Sequence, residues 1–150
     1  MNPDDLILPF KLESADVRGR LVRLGPLVDE VLLRHAYPQP VSILLGEMLV
    51  LAAAIARSFK FDGTFSLQTE SEGPVDLMIA DFTTSGEMRG YARFDDEGVS
   101  SIDDGGAGSP SVPHLLGPGS LAFTLDQGPD TERYQGIVPL EGATLVDCAH

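Results

Sequence analysis

The chain has 150 residues, 43% of them hydrophobic, and a mean hydropathy of +0.05. That is enough for one domain with a proper core, and it is the composition of a globular protein rather than a disordered one. The net charge of −13 repels phosphate backbones and argues against a nucleic-acid partner, and the single cysteine, Cys148, excludes an intramolecular disulfide framework.

The charge is uneven. Residues 1–93 carry nine basic and thirteen acidic groups, whereas residues 94–150 carry one basic group, Arg133, and ten acidic ones. The first residues, Met1-Asn2-Pro3-Asp4-Asp5, are acidic where a secretory signal starts basic. A cytoplasmic protein is the simplest reading.

Residues 5–12 read as a first strand, and Pro9 within it argues for an edge position. Residues 16–24 read as a second, with Gly19 as a bulge. Gly25-Pro26 opens a short helix to about Arg34, carrying Leu27, Val31 and Leu32 at helical spacing. Tyr37-Pro38-Gln39-Pro40 stops it, and Pro40 suits the first turn of the next helix. From Val41 to Ala56, thirteen of sixteen residues are apolar, which predicts a central helix buried on most sides. The uninterrupted apolar run Met48–Ala56 is far shorter than the roughly 20 residues a membrane span needs.

Between Phe61 and Ala92 three strand patterns are punctuated by Gly63, Glu72-Gly73-Pro74 and Ser85-Gly86. Side chains of a strand alternate between two faces. The first strand sets Phe65 and Leu67 against Thr64, Ser66 and Gln68. The second sets Val75, Leu77 and Ile79 against Asp76 and Met78. The third sets Met88, Gly90, Ala92 and Phe94 against Arg89, Tyr91 and Arg93. An antiparallel meander with one buried face is expected.

Residues 95–120 hold six glycines and three prolines and read as a long surface loop, mobile around Gly105–Ser111. Ser120–Asp126 and Tyr134–Leu140 are two further strands, with Gln127-Gly128-Pro129-Asp130 as the turn between them. Glu141–His150 begins an amphipathic helix with Leu145 and Cys148 on one face and no stop signal, as in a domain cut from a longer chain. The fold class expected is α+β: antiparallel sheets packed around a buried central helix, about Val41–Phe59.

Few residues suggest chemistry. His35, His114 and His150 have no ligand spacing to one another or to carboxylates. His35 suits the negative end of the first helix, and His114 lies in a loop. Asp95-Asp96-Glu97 and Asp103-Asp104 do not fit a calcium loop, and Gly105–Ser109 has no lysine to reach a phosphate. No nucleophile elbow occurs, and Glu70 and Glu72 sit at alternate positions near a turn. Cys148 reads as a small buried apolar residue, since the neighbouring Asp147 disfavours a thiolate. Arg89 and Arg93, with Arg133-Tyr134, read either as a solvated face with ion pairs to residues such as Asp76, or as a contact patch. No catalytic, cofactor or metal residue is assigned.

The order of several short segments is more specific than any of them alone. Val17-Arg18-Gly19, His35-Ala36-Tyr37-Pro38-Gln39-Pro40-Val41, Phe61-Asp62-Gly63, Gln68 with Gly73-Pro74, Met88-Arg89-Gly90-Tyr91-Ala92, Leu115-Leu116-Gly117, Arg133-Tyr134-Gln135-Gly136 and Leu140-Glu141-Gly142 occur in that sequence. Together they resemble the N-terminal domain of the thirty-three-kilodalton heat-shock chaperonin family over nearly the whole chain. The resemblance implies a redox-regulated holdase that binds unfolding client proteins without ATP under oxidative or heat stress, and a homodimer. It also implies a C-terminal zinc domain whose four cysteines form the switch. None of those four is present here, so residues 1–150 are expected to be the N-terminal core domain without the switch. Two rival readings are a peptide- or ligand-binding module using an exposed sheet edge at Leu6–Phe10, and an enzyme with an unrecognised site. No membrane partner is expected.

Overall fold

A two-stranded hairpin and a helix pair precede the main sheet. The computed structural model describes residues 4–102 and 112–149. The hairpin joins β1 (Leu6–Leu12) and β2 (Val17–Arg23) in an antiparallel pair. Its register runs without interruption from Leu6 opposite Arg23 to Leu12 opposite Val17, so the bulge expected at Gly19 does not form. Gly19 lies opposite Phe10, whose exposed ring folds over it into the space a Cβ would take.

Helix α1 (Pro26–Leu33) begins with proline in its first turn, where the missing N–H costs nothing. The buried carboxylate of Asp5 accepts from the backbone N–H groups of Gly25 (2.9 Å) and Leu27 (3.3 Å), ahead of and inside that first turn. Helix α2 spans Gln39–Ala56, starting two residues earlier and ending three earlier than the Val41–Phe59 helix expected. Ser58 and Phe59 instead turn back onto it, their N–H groups bonding to Ile55 and Ala56 carbonyls.

The burial of α2 is one-sided. Val41, Leu44, Leu45, Met48, Leu49, Ala52, Ala53 and Ala56 recur at three- and four-residue steps and are buried. Each leucine buried in this way contributes about 1.5–3 kcal/mol. Ile43, Gly46, Val50, Leu51, Ala54 and Ile55 on the other side remain partly or largely exposed. The helix is therefore not buried on most sides, although by length and composition alone it is apolar enough to cross a membrane. Its inner face lies on the main sheet, and α1 and β2 flank it.

The meander is β3 (Thr64–Ser71), β4 (Val75–Thr83) and β5 (Met88–Phe94), and two later strands complete the sheet. Two short helices come between. Asp95 caps α3 (Asp96–Ser100) by accepting from the Gly98 N–H, and α4 is Val112–Leu115. Then follow β6 (Gly119–Asp126), β7 (Tyr134–Pro139) and the last helix, α5 (Leu145–Ala149). The sheet order is β5-β4-β3-β6-β7, antiparallel throughout.

Two expectations change. On β4 the core side is taken by Val75, Met78, Ala80 and Phe82, not by Val75, Leu77 and Ile79. A register shift between Val75 and Leu77 inserts an extra residue, which flips every later side chain to the opposite face. Residues 95–120 are not simply a surface loop, because Val99, Val112, Leu115 and Leu116 enter the core. The mobility expected at Gly105–Ser111 falls outside the described residues, as do Asp103-Asp104, the glycine run 105–109 and His150.

Candidate functional site

The hairpin turns an apolar face outward. Directly opposed residues of an antiparallel pair share a face, so Leu8 with Leu21, Phe10 with Gly19, and Leu12 with Val17 line one side. All five large side chains are exposed, Phe10 at 48% and Leu21 at 57%. The other side carries Ile7 with Val22, Pro9 with Arg20 and Lys11 with Arg18. Ile7 and Val22 pack on the core; the rest of that side reaches solvent.

An apolar groove of about 800 Å³ continues from this patch. Its floor is the outer side of α2, with Val50, Leu51 and Ala54. Val22 and Val28 form one wall and Val146 of α5 the other. Leu21 belongs to both patch and groove, so the two are continuous. Leu33, Ile43, Phe59, Tyr134, Ile137 and Val146 add further exposed apolar area. Of these only Val146 lines the groove; the contiguous part, from the hairpin face through Leu21 into the groove, is the kind of apolar surface that marks docking sites.

A smaller pocket of about 430 Å³ opens on the hairpin's inner side, lined by Ile7, Pro9, Arg20 and Arg57. Arg20 donates to the Ser58 hydroxyl at 3.1 Å, and the Arg57 guanidinium lies over the Phe82 ring, 5.4 Å from its centroid. Among the described residues neither arginine is in an ion pair. This pairing was not legible in the sequence, where the two arginines stand 37 positions apart.

The residues singled out from the sequence are scattered. Arg89 and Arg93 lie on β5 and Arg133 just before β7, at opposite edges of the five-stranded sheet, so they form no joint patch. Each has its own carboxylate: Arg93 with Asp76 (2.8 Å), Arg89 with Asp81 (3.5 Å) and Arg133 with Asp126 (3.1 Å). The Arg93 hydrogen bond holds the Asp76 carboxyl below its ordinary value. Asp126 is held down chiefly by the Gly128 N–H, with Arg133 assisting. Tyr134 packs beside Phe123 rather than beside an arginine, at a centroid distance of 6.0 Å.

His35 follows α1 and contacts the rings of Tyr37 and Tyr91 at 5.4 and 5.7 Å. His114 is in α4, not in a loop, and is exposed. Asp95-Asp96-Glu97 is the capped start of α3 rather than a loose acidic run. Glu70 is exposed and accepts from Gln68 at 2.7 Å, and Glu72 stands beyond the end of β3. Cys148 is buried against the sheet with Leu145; burial pushes its thiol up, and Asp147 acts in the same direction. No cluster of three or more His, Cys, Asp or Glu that could hold a metal occurs among the described residues.

Comparison with known proteins places these features in a family. The model of the family described as Hsp33 protein matches residues 5–150. The 33 kDa chaperonin of Caulobacter vibrioides is 50% identical over 146 residues, which cover 97% of this chain and 48% of that protein. The 33 kDa chaperonin of Ectopseudomonas mendocina is 40% identical over 145 residues, covering 97% and 46%. The crystal structure of the 33 kDa chaperonin from Thermotoga maritima superposes with a TM-score of 0.82 at 24% identity, over 97% of this chain and 49% of that one, and shows the shared fold. The chain spans about half the length of the curated relatives it matches. The chain belongs to the Hsp33 family.

Proposed function

We propose that this chain is the N-terminal body of an ATP-independent, redox-regulated chaperone of the cytoplasm, which holds unfolding proteins and keeps them from aggregating. One observation carries the reading: a continuous apolar surface, from the outer hairpin face into the groove over α2, on a chain of net charge −13. Apolar surface captures the exposed apolar segments of a partly unfolded protein, and high net charge keeps the loaded complex dispersed. The names of the relatives, each a 33 kDa chaperonin, support the same reading. It includes the homodimer that the family resemblance implies, and it assigns no catalytic residue to this chain.

The residues of this chain do not fit a zinc site, because its one cysteine is buried and no ligand cluster accompanies it among the described residues. On this reading the redox switch lies outside residues 1–150, since a four-cysteine switch needs more than the one cysteine of this chain, and this chain should hold clients equally with and without peroxide. The test is light scattering from a thermally unfolding client, without ATP, at rising chain-to-client ratios. Suppression unaffected by peroxide is the expected result. No suppression at several-fold molar excess would overturn the holdase reading, and a clear peroxide-dependent gain would overturn the placing of the switch.

A further inference from the structure

We propose that the free edge of β1 binds an extended polypeptide segment in which apolar and acidic residues alternate. This rests on the holdase reading and names the class of segment it would take.

The hairpin is a sheet of only two strands, so β1 has a neighbour on one side and an unpaired edge on the other. Among the described residues it is β2, not β1, that packs on α2, and no further strand pairs with that edge. An extended segment adding there would gain main-chain hydrogen bonds, and its alternate side chains would fall on the two faces of the hairpin. On the outer face they would meet Leu8, Phe10 and Leu12, which are apolar and exposed. On the inner face they would meet Lys11, with Arg18 and Arg20 across the pair and Arg57 over the adjoining pocket.

Charge decides the second half of the pattern. The two hairpin strands carry four basic residues, of which Lys11, Arg18 and Arg20 lie on the inner face, and no acidic one; Glu13 and Asp16 stand in the turn between them, and the rest of the chain has six basic and twenty-three acidic residues in all. Lys11 is held loosely by Asp16 at 3.8 Å and Arg23 by Asp4 at 3.2 Å, while Arg18, Arg20 and Arg57 are in no ion pair with a described carboxylate. Carboxylates on the inner face of an added strand would lie beside Lys11, with Arg18 and Arg20 one strand further on β2, whose long side chains end in guanidiniums suited to bidentate contact. A second copy is disfavoured, since paired hairpins would place like charges together. An anionic membrane makes no use of the strand edge, and the rest of the chain repels it.

The experiment uses fluorescein-labelled peptides of about ten residues and fluorescence anisotropy with the intact chain. One alternates valine and glutamate, one alternates valine and lysine, and one is the acidic peptide with proline at two inner positions. The acidic peptide should bind roughly tenfold more tightly than the basic one, an advantage that fades in high salt. Proline should abolish binding. Arg57→Glu and Arg18→Glu, each checked for folding by circular dichroism, should erase the acidic preference, and the Leu8→Ser/Leu21→Ser pair should weaken both peptides. Equal binding of acidic and basic peptides, or unchanged preference in both charge variants, would overturn the proposal. So would concentration-dependent dimers in sedimentation that the serine pair disperses, or tighter binding to vesicles of phosphatidylcholine and phosphatidylglycerol than to the acidic peptide. Client protection without acidic preference leaves the holdase reading standing and removes this one. Acidic preference without client protection does the reverse.

Discussion

The hydroxyl of Tyr37 accepts a hydrogen bond from the backbone N–H of Ala92 at 3.2 Å. Ala92 lies on β5, an edge of the five-stranded sheet, and is buried there. The Tyr37 ring also meets Phe94 edge-on at 5.9 Å, so the link between α1 and α2 is pinned to the sheet edge it crosses. Burial raises the Tyr37 pKa, which keeps the hydroxyl neutral. Tyr37→Phe keeps the ring and removes the acceptor, at an expected cost of about 1–3 kcal/mol for an unsatisfied buried donor. Urea denaturation measures that loss, and amide exchange at Ala92 should accelerate. Unchanged exchange there would show that the N–H has another partner.

Gly73 makes a second clasp. Its N–H donates to the Leu116 carbonyl at 2.6 Å, and the Glu72 N–H donates to Pro118 at 3.0 Å. A Cβ on Gly73 would collide with the Leu115 and Leu116 backbone, which cannot give way as a flexible side chain can. Gly46, within α2, is the contrasting case, since its Cβ would meet only side-chain atoms of Val28 and Leu32 at ordinary distances. Gly73→Ala should therefore destabilise by more than about 2 kcal/mol, and Gly46→Ala should stabilise by up to about 1 kcal/mol through helix propensity. Thermal unfolding of the two variants decides it; similar shifts for both would sink the argument.

The segments that carried the family resemblance are those the fold brings together. Tyr37 meets Ala92, and Gly73 meets Leu116. Strand and helix identities were legible because alternation and helical spacing are local signals. The facing of β4 was not, because a bulge at Val75–Leu77 leaves no mark in composition. Nor was the wide separation of Arg93 and Arg133, which depends on β6 pairing with β3 rather than with β5. The outward hairpin face was hidden for a related reason. Leu8, Phe10, Leu12, Val17 and Leu21 look like core residues until the register shows that Ile7 and Val22 take that role.

The Asp76–Arg93 pair gives a pH signature. The hydrogen bond from Arg93 lowers the Asp76 pKa below its ordinary 3.8. Its contribution to stability is present above that value and is lost as pH falls through the lowered folded value. Both side chains are substantially exposed, so solvent screening keeps the contribution small. Asp76→Asn should lower stability slightly at pH 7 and hardly at all below pH ~3. An equal loss at both pH values would mean that the carboxylate's charge is not what stabilises.

Cys148 tests whether this chain carries redox chemistry of its own. The residue is 7% exposed, and burial raises its thiol pKa above the ordinary 9.0, so the thiolate that reacts with peroxide or alkylating agents is scarce at neutral pH. A group raised in the folded state contributes stability below its unfolded pKa and loses it as pH rises through the folded value. The folded chain should therefore weaken above pH ~9 through this residue. At pH 7.5 alkylation by iodoacetamide should run at least about tenfold slower than for an exposed cysteine. Denaturant should restore the ordinary rate. A Cys148→Ala variant should suppress client aggregation as the parent does, in peroxide or without it. Rapid alkylation of the folded chain would instead give this residue a thiolate, and with it a part in the switch that the proposal places outside residues 1–150.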